Sequence, residues 1–351
     1  MDISKLDYHL PKNLIAQKLL SLHDHSKLLV INRKDKSLTS KHFYDLPEIL
    51  TSNDVLVLNI TKVFPVRIYG KKETGGKVEI LLCKKINNNT WDVLVKPGIK
   101  TGTKISFGLF SGIKKSEFCE ISRVQFSVNN TKLFEYLGLI GHTPIPPYIH
   151  SKESEKSLRD EYQTVYAKTK GSIAAPTAGF HFTKRLLKKL QNSDIEIEYV
   201  TLHVGLGTFA PIKETELKKH KIHSEYYELD KKTANKLNLA KKKGKKIIAV
   251  GTTTTRVLET CTNKKGLLKE KKGKTNLFIY PPYKFKFVDG LITNFHLPRT
   301  TLLALVSAFV SYPNTEEKFE SFNSSLIGKA YKKAIREKYR FYSFGDSSII
   351  L

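Results

Sequence analysis

Between residues 66 and 150 the chain stops behaving like the sequence on either side, and that interruption constrains its fold most strongly. Short apolar or alternating runs recur there: Val78–Cys83, Thr90–Val95, Lys104–Gly108, Glu117–Ile121 and Val124–Val128. Turn-forming residues separate them at Gly75–Gly76, Asn87–Asn89, Pro97–Gly98 and Asn129–Asn130. Short strands at this spacing predict a small antiparallel barrel. Gly141–Ile149 (GHTPIPPYI) is too rich in proline for regular structure and reads as an exit linker.

The flanks read differently. Leu28–Ile31 and Val55–Asn59 have the pattern of strands, and His42–Leu50 that of a helix. From about residue 156 helices and strands alternate. Helices are expected over Lys184–Gln191, Lys231–Lys243, Thr254–Cys261, Arg299–Val310 (with Pro298 at its start) and Phe319–Lys338. Strands are expected over Glu196–His203, Lys246–Val250, Leu277–Tyr280 and Gly290–Asn294. The expected architecture is an α/β catalytic main domain, residues 1–65 and 156–351, carrying an inserted antiparallel β-barrel domain, residues 66–155. A chain of 351 residues can bury the cores of two such domains.

Composition narrows the function. The longest strongly apolar stretch, Leu302–Val310, is about half of what a bilayer span needs and reads as a buried helix. The N-terminus has no signal-peptide layout. Cys83, Cys119 and Cys261 form no CxxC pair and are odd in number, which argues against a disulfide framework. A reduced, cytoplasmic protein with no membrane association and no metal is the expectation. The formal charge of +27 asks for a polyanionic partner such as nucleic acid. Arginine supplies only nine of the 60 cationic side chains, and runs such as Lys241–Lys246 and Lys264–Lys274 look like solvated surface. Lysines raise affinity for phosphates without reading sequence. No RRM, KH or helix-turn-helix pattern accompanies the charge.

Four loops carry the chemistry. Gly171–Thr183 (GSIAAPTAGFHFT) crowds small residues, Pro176 and His181 together with the donors Thr177 and Thr183. Gly171, Gly179 and the alanines admit close approach to the backbone. His203–Phe209 (HVGLGTF), Gly251–Glu259 (GTTTTRVLE) and Thr293–Thr301 (TNFHLPRTT) have the same character. Such loops on strand ends are where α/β enzymes place their sites. Gly205-x-Gly207-x-x-Ala210 matches the dinucleotide fingerprint formally, but Pro211 follows at once and a tight turn explains the glycines equally well. Gly251–Arg256 follows a strand and opens a helix, so the N–H groups around Thr252 and Thr253 favour an anion. The second glycine and the lysine of a P-loop are missing. Arg256 adds a fork suited to carboxylate or phosphate, and Glu259 lies on the same helical face.

His181, His203, His223 and His296 sit in or beside these loops, with Glu225 two residues after His223. Any of the five is a candidate general base or acid. None has HxxxH or HExxH spacing, so no metal is expected. Candidate substrate contacts are Thr177, Gly179, Gly205, Gly207, Thr252, Thr253, Arg256, Glu259 and Asn294, with Arg340 and Asp346 near the C-terminus beside Tyr342 and Ser343.

Read together, these blocks resemble the S-adenosylmethionine:tRNA ribosyltransferase-isomerase family of queuosine biosynthesis. The likeness is collinear over essentially the whole chain. It runs through LPKNLIAQ at 10–17, YQTVY at 162–166, AAPTAGFHFT at 174–183, TLHVGLGTFAPI at 201–212 and HSEYYEL at 223–229. It continues through VGTTTTRVLE at 250–259, TNFHLP at 293–298 and YRFYSFGD at 339–346.

The resemblance implies an α/β domain with a β-barrel insertion and no metal. It implies S-adenosylmethionine as co-substrate and, as partner, tRNA carrying 7-aminomethyl-7-deazaguanine (preQ1) at the wobble position. The ribosyl unit moves to the aminomethyl group and isomerises to give epoxyqueuosine, while adenine and methionine leave. In that chemistry His203, His223 or Glu225 would take a C5′ proton, and His181 or His296 would assist adenine. Arg256 would bind the methionine carboxylate, and a Tyr or Phe face the sulfonium. The chain departs from the family pattern at Ile60, Val66, Thr254–Thr255 and Pro282, none of them a histidine or arginine assigned above. A monomer and a homodimer are both compatible with the sequence. Two other readings remain: an NAD-type oxidoreductase built on Gly205 and Gly207, opposed by Pro211, and a non-catalytic RNA-binding protein, opposed by the clustered Gly/Thr/His loops.

Overall fold

The computed structural model describes the chain except for residues 119–120, 147, 150, 152, 206–211 and 213. In chain order the strands are β1 (Lys27–Ile31), β2 (Leu38–His42), β3 (Asp54–Asn59) and β4 (Thr61–Val63). The next six are β5 (Arg67–Lys72), β6 (Lys77–Lys85), β7 (Thr90–Lys96), β8 (Lys104–Ser106), β9 (Ser111–Phe118) and β10 (Ile121–Phe126). The remainder are β11 (Thr169–Ser172), β12 (Glu196–Leu202), β13 (Glu225–Leu229), β14 (Lys246–Val250), β15 (Lys271–Thr275), β16 (Gly290–Asn294) and β17 (Ser347–Ile350).

Nine strands form one mixed sheet in the order β15-β13-β12-β3-β14-β16-β17-β1-β2. Its centre is parallel: β12, β3, β14 and β16 run together, and β17 lies antiparallel to β16 but parallel to β1. Every residue of β3, β16 and β17 is buried, as expected of strands covered on both faces. Alternate residues feed two cores. Val55, Val57, Ile247 and Ala249 join the cluster built with Val257 and Leu258 of the helix Gly251–Cys261. Leu56, Leu58, Ile248 and Val250 join Leu186 and Leu190 of the helix Lys184–Asn192 on the opposite face.

Strands β5 to β10 close into a six-stranded barrel in the order β10-β7-β6-β5-β8-β9, antiparallel throughout. Ile68, Ile80, Leu82, Val93 and Phe126 fill it, and Leu133 and Leu137 of the helix Asn130–Ile140 pack into the same core. Trp91 Nε1 donates to Asn130 Oδ1 at 2.7 Å, tying that helix to the barrel wall. Parallel pairing of β4 with β11 sets the chain leading into the barrel beside the chain leading out. This is the inserted-barrel α/β architecture anticipated from the sequence.

Several expected elements move. Of the expected strand Glu117–Ile121, Glu117 and Phe118 end β9 and Ile121 begins β10, while Cys119 and Glu120 lie outside the described residues. The helix Asn130–Ile140 was not anticipated, although Asn129 caps it by accepting from Lys132 N–H at 3.0 Å. Leu277–Tyr280 is irregular, since the Leu277 carbonyl is spent on Arg256 Nε. The strand at that edge is β15, inside a lysine run that reads as bare surface; only its Thr275 is buried. The helix expected from Arg299 begins at Thr301, because Arg299 holds φ +57° and Thr300 caps by accepting from Leu303 N–H. The helix within 319–338 is confined to Leu326–Arg336, where Ser325 is the cap.

Candidate active site

The parallel centre of the sheet aims four C-terminal strand ends at one edge. There Asn59 ends β3, His203 follows β12, Gly251 follows β14 and Asn294 ends β16. Because β17 is antiparallel to β16 and β1 runs with β17, the segment before Ser347 and the residue before Lys27 reach the same edge. Ligands of open α/β sheets bind at such an edge.

Two cavities meet there. Both are lined by Thr252, Thr253 and Leu302. The first also presents His223, Glu225 and Arg256 with apolar Phe278, Ile279 and Leu305. The second presents Ala175, Thr177, Asn294, His296, Tyr342 and Ser343. The shared wall is the start of the helix Gly251–Cys261. Gly251 holds φ +86°, a turn that glycine makes without strain, and Val250 offers no side-chain cap. The first-turn N–H groups have no intrahelical acceptor and carry the positive end of the helix dipole. The threonine run divides its labour. Thr254 and Thr255 turn back to the carbonyls of Val250 and Gly251, whereas Thr252 and Thr253 face the cavities.

Of the candidate bases and acids, His223, Glu225 and His296 line a cavity, whereas His181 and His203 are not among the described lining residues of either. His181 is buried between Ser26 Oγ, 2.7 Å from Nδ1, and Asn294 Nδ2, 3.3 Å from Nε2. Asn294 donates there, because Thr177 Oγ1 donates to its Oδ1 at 3.2 Å. The His181 proton therefore sits on Nδ1 and faces Ser26. Burial, with Arg340 and His23 nearby, pushes the His181 pKa down to about 3. His296, 3.0 Å from Thr293 Oγ1 through Nε2, is likewise held neutral by burial, its pKa pushed down to about 3. His203 stacks on Tyr226, accepts or donates at Thr61 Oγ1 (2.9 Å), and burial lowers its pKa. His223 is exposed at the rim of the first cavity.

Among the candidate contacts, several are engaged by the protein itself. Arg256 pairs with Glu225 through Nη1 while its Nε and Nη2 donate to the carbonyls of Leu277 and Thr275. Glu225 also accepts from Gly205 N–H at 2.8 Å. The open carboxylate fork expected of Arg256 is thus closed by Glu225. Glu259 faces away from both cavities, accepting from Tyr283 Oη and from the N–H groups of Lys286, Phe287 and Val288. Its position one turn beyond Arg256 points it at that loop. Gly179 closes a short turn against Thr164 and Tyr166 and lines neither cavity. Arg340 and Asp346 bind each other at 3.0 Å, with Asp346 buried. Gly207 lies outside the described residues, so the formal fingerprint has no described geometry beyond Gly205.

Sequence reasoning passed over Ser26, which holds His181, and Thr61, which holds His203. It also passed over Asn59, whose side chain donates to Leu202 O and accepts from Leu202 N–H, joining β3 to β12 beside the site. A polar residue closing the apolar run DVLVLN was the available signal for Asn59; Ser26 and Thr61 had none. Among the described residues no group of three or more His, Cys, Asp or Glu side chains is arranged to hold a metal, and no helix is long and apolar enough to cross a membrane.

Comparison with known proteins agrees with this geometry. The chain is 47% identical to the S-adenosylmethionine:tRNA ribosyltransferase-isomerase of Halothermothrix orenii, and both chains are covered in full. It is 46% identical to the enzyme of the same name from Thermosipho melanesiensis, again over 100% of each chain. A crystal structure of S-adenosylmethionine tRNA ribosyltransferase from Thermotoga maritima superposes with a TM-score of 0.55 at 33% identity, covering 99% of this chain and 100% of that one. The sequence profile described as queuosine biosynthesis protein matches residues 3–350. With the barrel, the sheet edge and its two joined cavities in place, this chain belongs to the queuosine biosynthesis protein family.

Proposed function

We propose that this protein is a transferase-isomerase of tRNA queuosine modification. It transfers the ribosyl unit of S-adenosylmethionine to preQ1 at the wobble position of tRNA, and epoxyqueuosine, adenine and methionine are the products. The observation that carries this reading is the pair of cavities joined at one helix start. A zwitterion with an anionic amino-acid end and a bulky nucleoside end needs an anion-binding wall beside an uncharged chamber. The first-turn N–H groups at Thr252 and Thr253 supply the wall for the methionine carboxylate.

The sulfonium acidifies the C5′ hydrogens of the ribose, and a base must remove one. His223 fits that task best, being exposed at the cavity rim, whereas Glu225 is occupied by Arg256 and Gly205. The aminomethyl nitrogen, losing a proton, then forms its bond to the ribosyl carbon skeleton, and methionine leaves as the neutral thioether with the electron pair of the C5′–S bond as the epoxide oxygen takes its place on C5′. Adenine leaves with the electron pair of its glycosidic bond, and hydrogen bonds from neutral groups such as His296 and Asn294 stabilise it. The excess of lysine supplies phosphate contacts to the tRNA. The domain division at residues 66 and 155 belongs to this reading, as does a cytoplasmic location.

The test is one incubation of protein, S-adenosylmethionine and tRNA bearing preQ1, followed by mass spectrometry. Adenine and epoxyqueuosine appearing in equal amounts support the reading. Bound tRNA with neither product would reduce the protein to an RNA-binding relative of the family.

A further inference from the structure

Tyr342 holds φ +75°, a left-handed backbone that a tyrosine keeps only when its surroundings impose it. The surroundings are specific. Its N–H donates to the Phe295 carbonyl at 3.0 Å, just past the end of β16, and its own carbonyl accepts from Gly345 N–H at 3.0 Å. Asp346 then straps the loop: its carboxylate accepts from Arg340 N–H (2.8 Å), Arg340 Nη2 (3.0 Å) and Lys27 N–H (3.3 Å). Gly345 passes so close to the Arg340 carbonyl that a Cβ would overlap it. The product of this bracing is that Tyr342 and Ser343 are set in the wall of the second cavity.

That wall bears no charged side chain among its described residues. Ala175, Pro176, Thr177, Asn294 and neutral His296 line the cavity together with Tyr342. A sulfonium cation in such a chamber finds no counter-ion, so its stabilisation must come from dipoles and from an aromatic quadrupole. Tyr342 is the benzenoid ring in the wall, and the same chamber adjoins the helix start assigned to the carboxylate. Tyr148 packs on Tyr342 with centroids 4.2 Å apart and fixes the ring plane.

We propose that Tyr342 is the residue that recognises the sulfonium of S-adenosylmethionine, and that Arg340 and Asp346 are positioning residues whose task is to hold Tyr342 in its strained conformation. The inference rests on S-adenosylmethionine being the substrate.

The experiment is titration calorimetry of the full chain with S-adenosylmethionine and with its uncharged thioether, S-adenosylhomocysteine. Wild type, Tyr342→Phe, Tyr342→Leu and Asp346→Asn are compared, with thermal unfolding in parallel. Tyr342→Leu should lose about tenfold in affinity for the sulfonium ligand and little for the thioether, which is the size of a desolvated cation–π contact. Tyr342→Phe should keep the ratio of the two affinities, and Asp346→Asn should shift it in the direction of Tyr342→Leu. Tyr342→Gly, which accepts φ +75° without strain, provides a ringless protein if Tyr342→Leu does not fold, with the same expected loss. An unchanged ratio in the ringless variants, on a wild type that binds both ligands, overturns this inference alone. A wild type that binds neither overturns the substrate reading and the inference with it.

Discussion

Arg256 and Glu225 form a buried ion pair that joins the first helix of the site to β13, and the other guanidinium nitrogens bond to carbonyls at and after β15. Through Gly205 N–H the same carboxylate reaches the turn after β12. Removing one partner leaves the other charge buried and alone. Glu225→Gln or Arg256→Met should therefore each cost about 3–5 kcal/mol of stability. The double variant should cost clearly less than the sum, which urea unfolding of all four proteins would reveal.

Glu259 has a different duty and should separate stability from binding. Four donors of the segment Tyr283–Val288 converge on it. Glu259→Ala should lower stability by about 2–4 kcal/mol, because buried backbone N–H groups lose their acceptor. Affinity for S-adenosylmethionine in the folded fraction should change less than threefold by calorimetry, a limit that follows from Glu259 lining neither cavity.

The buried histidines make the fold acid-sensitive. His181 and His296 have folded pKa values pushed down to about 3 from an ordinary 6.5. Between those values the unfolded chain binds the protons and the native chain does not. Their contribution is thus complete above pH 6.5 and is lost as pH falls toward 3. Each should add a slope of about 1.4 kcal/mol per pH unit within that window. Unfolding free energies at pH 7, 6 and 5 should show the fall, and His181→Gln should remove about half of the slope the two histidines add.

His223 should matter to turnover and little to folding. It is exposed, and no described element is built on its side chain. His223→Asn is expected to cut kcat for adenine release about 100-fold or more, with the dissociation constant of S-adenosylmethionine and the melting temperature unchanged. A kcat within threefold of wild type would remove His223 from the base role and return it to His203.

What the sequence disclosed follows the strength of the local signal. β14 and β16 were legible to the residue because Ile247–Val250 and Leu291–Ile292 are short buried apolar runs, bounded by Lys246 and glycine at their starts. β17 was not, because Ser347 and Ser348 are polar residues buried by their neighbours, and β15 was not, because its lysines mimic free surface. The barrel was legible from its turns, whereas its internal helix hid behind Asn129–Asn130, a pair that serves as a helix start as readily as a turn. In the site, sequence pattern found the polar residues at the sheet edge but not what they touch. Arg256, Glu259 and Arg340 carry equal promise as letters. Only packing shows that each is bonded to another part of the chain.

The place of β17 in the sheet has a consequence for how the molecule is made. β1 has β17 and β2 as its sheet neighbours, and Lys27 is bonded to a residue 319 positions further along. The hairpin of β1 and β2 is hydrogen-bonded to the rest of the sheet through β17, a pairing of very long sequence separation and therefore slow to form. That pairing sets Ser26, which holds His181, beside the loop that carries Tyr342. One strand pairing between distant parts of the chain thus carries two sides of the site at once, the residue before β1 and the loop before β17.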